Sequence, residues 1–250
     1  MKFVDAHCHL LHEKFASDLP QVLERARKAD VLRVYCVSGL LAHDVEVLEL
    51  AARHPQFIFP VIGASPHDAP RMTGDELEQE LALIEQNAAR IAAVGEIGFE
   101  FHYFTEDEER RAQYKVFRAQ LELAESLDKP VVIHSREASV QTLAELASFK
   151  GRVMLHCCSD PLLAEEGVKR GWLVSQPTLK SRIREKIMEA TPLERLCCET
   201  DAPLLSPVPR QRNEPANVRL VYEEVARVKK KDLQEVSLRI FENIKEFFGG

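Results

Sequence analysis

The chain has 250 residues, of which 45% are hydrophobic and 29% are charged, so a disordered, collagen-like or disulfide-dominated chain is excluded. The formal net charge of −7 argues against a passive nucleic-acid coat protein, because such a protein needs a basic face to bind phosphates. The acidity leaves open an enzyme whose positive charge comes from bound metal.

The segment MKFVDAHCHL contains an acid and two histidines, so it does not read as a signal peptide. No run of the sequence approaches the roughly 18 apolar residues of a membrane span. The six cysteines lie in apolar runs without a CxxC pair, which favours buried free thiols in a reducing compartment over the alternative of a thiolate metal site. We expect a cytoplasmic protein that has no contact with membranes.

Short apolar runs alternate with amphipathic stretches along the whole chain. The runs are continuously apolar rather than alternating, as in parallel strands that are covered on both faces. The eight predicted strands cover residues 2–10, 31–39, 57–65, 91–99, 130–136, 152–159, 172–177 and 195–203. The predicted helices cover 18–29, 75–90 and 106–127, with shorter helices after strands five to seven and two more from about Asn217 and Asp232.

Eight strand–helix units fill the length of the chain without a linker or a remainder. We therefore expect one domain over residues 1–250, an α/β fold of the TIM (β/α)8 barrel type. A doubly wound open sheet is the competing arrangement. Asp18 is expected to cap the first helix, which has Pro20 in its first turn.

Six residues of metal-ligand type stand at the ends of predicted strands, which is the catalytic face of a barrel. They are His7, His9, Glu96, His134, His156 and Asp201. Residues two apart in a strand point the same way, so His7 and His9 can reach one ion. A single histidine at a strand end is more often structural, and it is the coincidence of six that indicates metal. Four imidazoles and two carboxylates suit two divalent cations better than one, since a carboxylate can bridge such a pair.

The remaining histidines carry weaker signals. His67 and His102 follow strands three and four, so either could line the carboxyl-terminal face of the barrel and contact the substrate. His12, His43 and His54 fall on loops or helix ends and are expected to be solvated or capping.

The motifs around these residues closely resemble the TatD family of metal-dependent deoxyribonucleases, in the amidohydrolase-like superfamily. The matching segments are DAHCHL, GEIG from Gly95, IHSREA from Ile133, LHCCSD from Leu155, ETDAP from Glu199 and RNEP from Arg212. They span nearly the whole chain. The resemblance implies a hydrolase that cleaves DNA exonucleolytically, with RNA as a second candidate substrate.

The same resemblance implies roles for individual residues. His7 and His9 match the histidines of a first metal, while His134 and His156 match those of a second. Glu96 matches the bridging carboxylate. In addition, Asp201 matches the last ligand and the base, and Arg136 matches an arginine near the phosphate.

Three departures from the family pattern stand out. Ser65 replaces a histidine common in the G-x-H-P-H segment, which leaves His67 as the candidate substrate contact there. Glu100 stands where the family often has Asp. Cys157 and Cys158 follow His156, where an aromatic residue is common.

The expected mechanism is phosphodiester hydrolysis by a hydroxide that two divalent ions (Zn, Mn or Mg) activate. Glu96 would bridge the ions, Asp201 would accept the proton of the water, and Arg136 would neutralise charge on the phosphorus. Glu199 is expected to support the site structurally. The expected partner is nucleic acid bound through its phosphates, with no obligate protein partner.

Two alternatives remain open on the sequence. The first is an ester, lactone or aminoacyl-tRNA hydrolase on the same barrel, which no residue here excludes. The second is a non-catalytic metal-binding scaffold. In such a protein some ligand-type residues would be replaced, whereas all six are present here.

Overall fold

A computed structural model describes residues 1–38 and 41–249. Eight parallel strands form one sheet in which the order of the strands follows the order of the chain. The strands are β1 (Phe3–Cys8), β2 (Val31–Val37), β3 (Ile58–Ile62), β4 (Ala93–Glu100), β5 (Val131–Arg136), β6 (Val153–Leu155), β7 (Leu173–Gln176) and β8 (Leu196–Cys198). Sequential order with β8 returning beside β1 gives a nearly closed barrel, so the predicted TIM (β/α)8 fold is confirmed and the doubly wound sheet is excluded.

Helices cover the outside of the barrel, because each parallel strand is followed by a crossover that packs back on the sheet. They are α1 (Leu19–Lys28), α2 (Asp44–Arg53), α3 (Gly74–Gln86), α4 (Asp107–Ser126), α5 (Ser139–Glu145), α6 (Pro161–Lys169), α7 (Arg182–Ala190), α8 (Val218–Lys229) and α9 (Leu233–Phe248). No described helix is long and apolar enough to cross a membrane.

The inner and outer faces of the strands are both buried, as their continuous apolar sequences predict. Every residue of β1 and β4 is buried. Helix α8 is attached to β1 through Tyr222, whose hydroxyl accepts from the Val4 amide at 3.1 Å and donates to its carbonyl at 3.0 Å. The ring of Tyr222 also meets that of Phe3 edge to face at 5.0 Å. These contacts satisfy the buried hydroxyl and fix the helix on the strand.

The seam between the last and the first strand is closed by side-chain hydrogen bonds as well as backbone. Buried Asp5 of β1 accepts from the Thr200 amide at 2.8 Å and from its hydroxyl at 2.6 Å. The amide of Asp201 donates to the His7 carbonyl at 2.9 Å. The residues that follow β8 are therefore held directly against β1.

Several boundaries differ from the sequence-based expectation. Strands β6 and β8 have three residues each, so His156 and Asp201 lie just beyond them. The predicted strand 31–39 ends at Val37, and its last residue, Gly39, lies outside the described residues. Short strands at this end leave the following side chains free to turn into the barrel mouth.

The expectation that Asp18 caps α1 is wrong. Its carboxylate makes no capping hydrogen bond and instead accepts from Arg212 at 2.7 and 2.8 Å and from Arg25 at 3.1 Å. Two guanidinium groups bind a carboxylate more strongly than backbone amides at a helix start, which accounts for the difference. Helix α2 was not among the predicted helices.

All six cysteines are free thiols and five of them are buried, so the expected burial of the thiols is confirmed for these five. Half-buried Cys157 is the exception, and its sulfur accepts a hydrogen bond from the Arg184 guanidinium at 3.2 Å. Burial raises the pKa of the Cys157 thiol well above its ordinary value, and nearby carboxylates add to the shift. Its sulfur nevertheless lies within 4.8 Å of ligand atoms of His156 and Asp201.

Candidate metal centre

The six residues that the sequence analysis singled out meet at the carboxyl ends of the strands. Three of them form one group: single ligand atoms of His7, His9 and Asp201 lie within 4.8 Å of one another. Asp201 Oδ1 lies 3.3 Å from His9 Nε2 and 3.7 Å from His7 Nε2. Two ligands of one tetrahedral zinc ion are about 3.4 Å apart, so this spacing suits a metal ion.

A second group consists of Glu96, His134 and His156. Glu96 Oε2 lies 3.7 Å from His134 Nδ1 and 3.4 Å from His156 Nε2. The same oxygen lies 3.7 Å from His7 Nε2, which belongs to the first group. Glu96 is thus the residue that reaches both groups.

Local backbone geometry brings the carboxyl ends of β4 and β5, which carry Glu96 and His134, close together. In the ladder between β4 and β5, Gly98 stands opposite His134. A Cβ at Gly98 would overlap the carbonyl oxygen of His134, and its φ of +134° is one that side-chain-bearing residues rarely adopt. Glycine at this position therefore allows the close strand approach that brings His134 beside Glu96.

The chemistry of these atoms fits a divalent cation. Glu96 Oε2 and Asp201 Oδ1 are buried, and neither meets a hydrogen-bond donor with good geometry among the described residues. The rings of His7 and His156 are stacked with centroids 3.6 Å apart. A buried, unsatisfied carboxylate oxygen is costly, and a cation between the imidazoles and the carboxylates would satisfy it.

Burial and the neighbouring charges shift the pKa values of the carboxylates and imidazoles in the site. Burial alone would raise the pKa of Glu96, but the imidazoles of His134 and His156 outweigh it and hold that pKa well below its ordinary value. For His7, burial and the neighbouring His156 lower the pKa, which favours the neutral imidazole, the form that can bind a metal ion. Burial opposes the charged form of His156 too, but Glu199 and Asp201 raise its pKa. A divalent cation would compete with the proton on His156.

Two further carboxylates stand behind the histidines. Glu199, expected to support the site, has Oε1 3.0 Å from His156 Nδ1, and its Oε2 accepts from the Ser175 hydroxyl at 2.6 Å. Glu100 has Oε2 3.2 Å from His134 Nε2. The sequence analysis noted Glu100 only as a departure from the family pattern. The signal that places it was strand alternation, since Glu96 and Glu100 share a face of β4.

A cleft of about 560 Å³ opens above the centre, and His9, Glu96 and His67 are among its lining residues. His67 is partly exposed, and its Nε2 lies 3.8 Å from Glu100 Oε2. His12 and His43, expected to be solvated or capping, also line the cleft. The His12 ring caps as expected, accepting from the Lys14 amide at 3.2 Å.

Arg136 and two other residues lie at the edge of this site. The Arg136 guanidinium stacks over the Tyr103 ring at 4.9 Å, and its Nη1 lies 3.8 Å from Glu100 Oε2. His102 points away to an exposed contact with Glu137 at 2.7 Å. Ser65 is buried, and its hydroxyl donates to Asp68 at 3.4 Å.

Comparisons with known proteins give this arrangement a family. The sequence model of the family described as TatD related DNase matches residues 4–249. An uncharacterized metal-dependent hydrolase of Methanocaldococcus jannaschii is 38% identical, with 99% of this chain and 97% of the relative covered. Human deoxyribonuclease TATDN3 is 34% identical over 93% of this chain and 89% of its own length.

A more distant relative and a solved structure agree with this result. The relative is the 3′-5′ ssDNA/RNA exonuclease TatD of Erwinia tasmaniensis, which is 29% identical with 98% of each chain covered. The structure is that of YJJV, a TatD homolog from Escherichia coli, with a TM-score of 0.89, 25% identity and coverage of 99% of this chain and 98% of that one. The chain belongs to the TatD-related DNase family and is a hydrolase.

Proposed function

We propose that this protein hydrolyses phosphodiester bonds at the ends of nucleic acid chains, with DNA as the main substrate and RNA as the second candidate. The observation that carries the proposal is the position of Glu96 Oε2, within 3.7 Å of imidazole nitrogens in both ligand groups. A carboxylate so placed suits two divalent cations side by side, the arrangement of many phosphodiesterases. Zn, Mn and Mg all remain candidates.

Each ligand group would hold one of the two ions. His7, His9 and Asp201 would bind the first, His134 and His156 the second, and Glu96 would be shared. Bound divalent cations would lower the pKa of a water and polarise the phosphoryl oxygens. Asp201 would accept the proton of that water, because its Oδ1 faces the same space as the two imidazoles of its group, 3.3 Å from His9 Nε2 and 3.7 Å from His7 Nε2.

The residues at the rim of the cleft would bind the substrate. Arg136 is fixed against Tyr103 and carries a permanent positive charge beside the centre, where it would neutralise a phosphate oxygen. His67 lines the cleft together with Glu96 and would contact the nucleotide. The cleft volume of about 560 Å³ is that of a small-molecule site, which suits one chain end better than a duplex.

The names of relatives support the same substrate class. Human TATDN3 is named a deoxyribonuclease, and the Erwinia relative is named an exonuclease on single-stranded DNA and RNA. The net charge of −7 indicates that affinity for phosphates would come from the bound ions and a few arginines rather than from a basic surface.

The test is a time course on end-labelled single-stranded DNA and RNA with Mg, Mn or Zn, with chelator as the blank. We expect a ladder from one end with the wild type. Glu96→Gln and Asp201→Asn should each lower the rate more than about 100-fold, because each removes a ligand from the centre. Glu122→Gln, on the exposed face of α4, is the matched control.

Two results would contradict the proposal. The first is unchanged turnover in Glu96→Gln, with the fold checked by circular dichroism. The second is folded, metal-loaded wild type that cleaves no phosphodiester but hydrolyses a lactone or an aminoacyl ester, which would assign an ester hydrolase to the same barrel.

Arg136→Ala separates substrate binding from metal binding. We expect KM for the oligonucleotide to rise by about tenfold or more while the metal content stays at the wild-type value, because the guanidinium faces Glu100 and Tyr103 and contacts no metal ligand of the centre directly. Wild-type kinetics would remove Arg136 from the substrate site.

A further inference from the structure

One buried carboxylate at the mouth has no role in the function proposed above. Glu100, the last residue of β4, is completely buried, although it lies at the edge of an open cleft. Burying a carboxylate is costly unless both of its oxygens have hydrogen-bond or charged partners. The partners of the two oxygens are therefore informative.

The two oxygens of Glu100 have different kinds of partner. Oε1 accepts from the backbone amides of His102 at 2.9 Å and Tyr103 at 3.3 Å. Oε2 faces His134 Nε2 at 3.2 Å, with His67 Nε2 and Arg136 Nη1 both at 3.8 Å. One oxygen is held by the turn after β4, and the other is directed at the metal centre and its rim.

The His134 ring lies between two carboxylates. Its Nδ1 faces Glu96, and its Nε2 faces Glu100. A neutral imidazole carries one proton, so a proton held on Nε2 leaves the lone pair of Nδ1 for a metal ion at Glu96. The carboxylate acceptor at Nε2 thus selects the tautomer in which the inner nitrogen is the ligand.

An additional cation between His134 and Glu100 is the alternative to a proton. His67, Glu100 and His134 each place one ligand atom within 4.8 Å of the others, which is close enough to hold such an ion. Such an ion would require His134 to lose both ring protons and bridge two metals. It would also lie beside the Arg136 guanidinium. The geometry therefore favours a proton over a cation between His134 and Glu100.

We propose that Glu100 is a positioning residue that holds His134 with its proton on Nε2. The same carboxylate keeps the Arg136 and His67 side chains in place beside the metal centre. The inference rests on the proposed function for its consequence in catalysis, but its effect on metal binding is independent of the substrate. It goes beyond the ligand set, because in this proposal Glu100 acts through His134 and binds neither the substrate nor the ions.

Glu100→Gln is a sharp test because the turn dictates how the amide must lie. The amide oxygen has to take the place of Oε1, since an NH2 group there would meet two backbone N–H donors. The amide nitrogen is then directed at His134 Nε2, which must become an acceptor. The ring proton then moves to Nδ1, where it competes with a metal ion for the nitrogen that faces Glu96.

The first measurement is metal affinity, by competition with a chelating dye on the full chain. We expect two zinc equivalents in the wild type, and in Glu100→Gln one of them weakened by about 10- to 100-fold with the other unchanged. Glu137→Gln is the control, because Glu137 is an exposed carboxylate on the same rim that pairs with His102 instead. Unfolding temperatures of all three proteins show whether the fold is intact.

The second measurement needs no variant. Long-range proton–nitrogen spectra of the zinc-loaded wild type, labelled at histidine, should show His134 with a proton on Nε2 and metal on Nδ1. A proton on Nδ1, wild-type zinc affinity in Glu100→Gln, or a third zinc equivalent that this variant loses would each overturn the proposal. Absence of nuclease activity would refute the proposed function and leave both of these measurements standing.

Discussion

Replacing Thr200 with valine tests how far the closure of the barrel depends on one hydroxyl group. The Thr200 hydroxyl donates to Asp5 Oδ2 at 2.6 Å and accepts from the Ala202 amide at 3.1 Å. Valine has nearly the same shape, so the volume of the buried site is kept while both hydrogen bonds are lost. All three residues are completely buried, so water cannot replace the lost partners.

The expected loss of stability follows from these two contacts. Leaving an oxygen of the buried Asp5 carboxyl group unsatisfied costs about 1 to 3 kcal/mol, and the unsatisfied Ala202 amide costs about 1 kcal/mol more. The sum is about 3 kcal/mol. In a protein of this length each kcal/mol lowers Tm by about 2 to 4 °C, which gives a decrease of about 9 °C.

Thermal unfolding followed by circular dichroism measures this effect, with Thr105→Val on the exposed surface as the control. We also expect weaker metal binding in Thr200→Val, because the next residue, Asp201, is a proposed ligand of the centre. A Tm within about 2 °C of the wild type would refute the reasoning. The seam would then depend on the backbone donors that valine leaves in place, the amides of Thr200, Asp201 and His9.

Three further predictions concern the strand contact, a buried acid pair and the metal. Gly98→Ala should cost several kcal/mol and abolish metal uptake, because its Cβ overlaps the His134 carbonyl; a stable variant with full metal content would contradict this. Burial raises the pKa of both Asp44 and Glu80, so the folded chain holds protons that the unfolded chain releases as pH rises above the ordinary carboxyl range; stability therefore falls with rising pH. The Tm of Glu80→Gln minus that of the wild type should accordingly increase from pH 5 to pH 9. A Tm difference that does not change with pH would argue against a protonated Asp44–Glu80 pair. Zinc at about 1,000 times its Kd should stabilise the wild type by about 4 kcal/mol, and chelator should reverse the shift in Tm; equal Tm values with and without chelator would rule out a metal centre.

The barrel could be predicted from the sequence because the signal repeats. Continuous Val, Ile, Leu and Cys runs occur eight times, and each is found as a strand. The convergence of the six ligand-type residues could be predicted for the same reason: each stands at the end of one run, and parallel strands bring their ends to one face of the barrel.

The partners across strands could not be predicted in the same way. Alternation places Glu100 on the face of Glu96, but only the register between β4 and β5 brings it to the far side of the His134 ring. Asp18 illustrates a different limit, because its local sequence is that of a helix cap and Arg212, far along the chain, takes its carboxylate. Local propensity carries no information about such competitors.

The hydrogen bond between Asp5 and Thr200 joins residues 195 positions apart in the sequence. The candidate centre draws on both sides of that seam, with His7 and His9 after one partner and Asp201 after the other. During synthesis on a ribosome, the early histidines would leave the exit tunnel long before Asp201 is added. A nascent chain would thus have no complete centre until the barrel closes, and hydrolytic capacity would arise only with the finished fold.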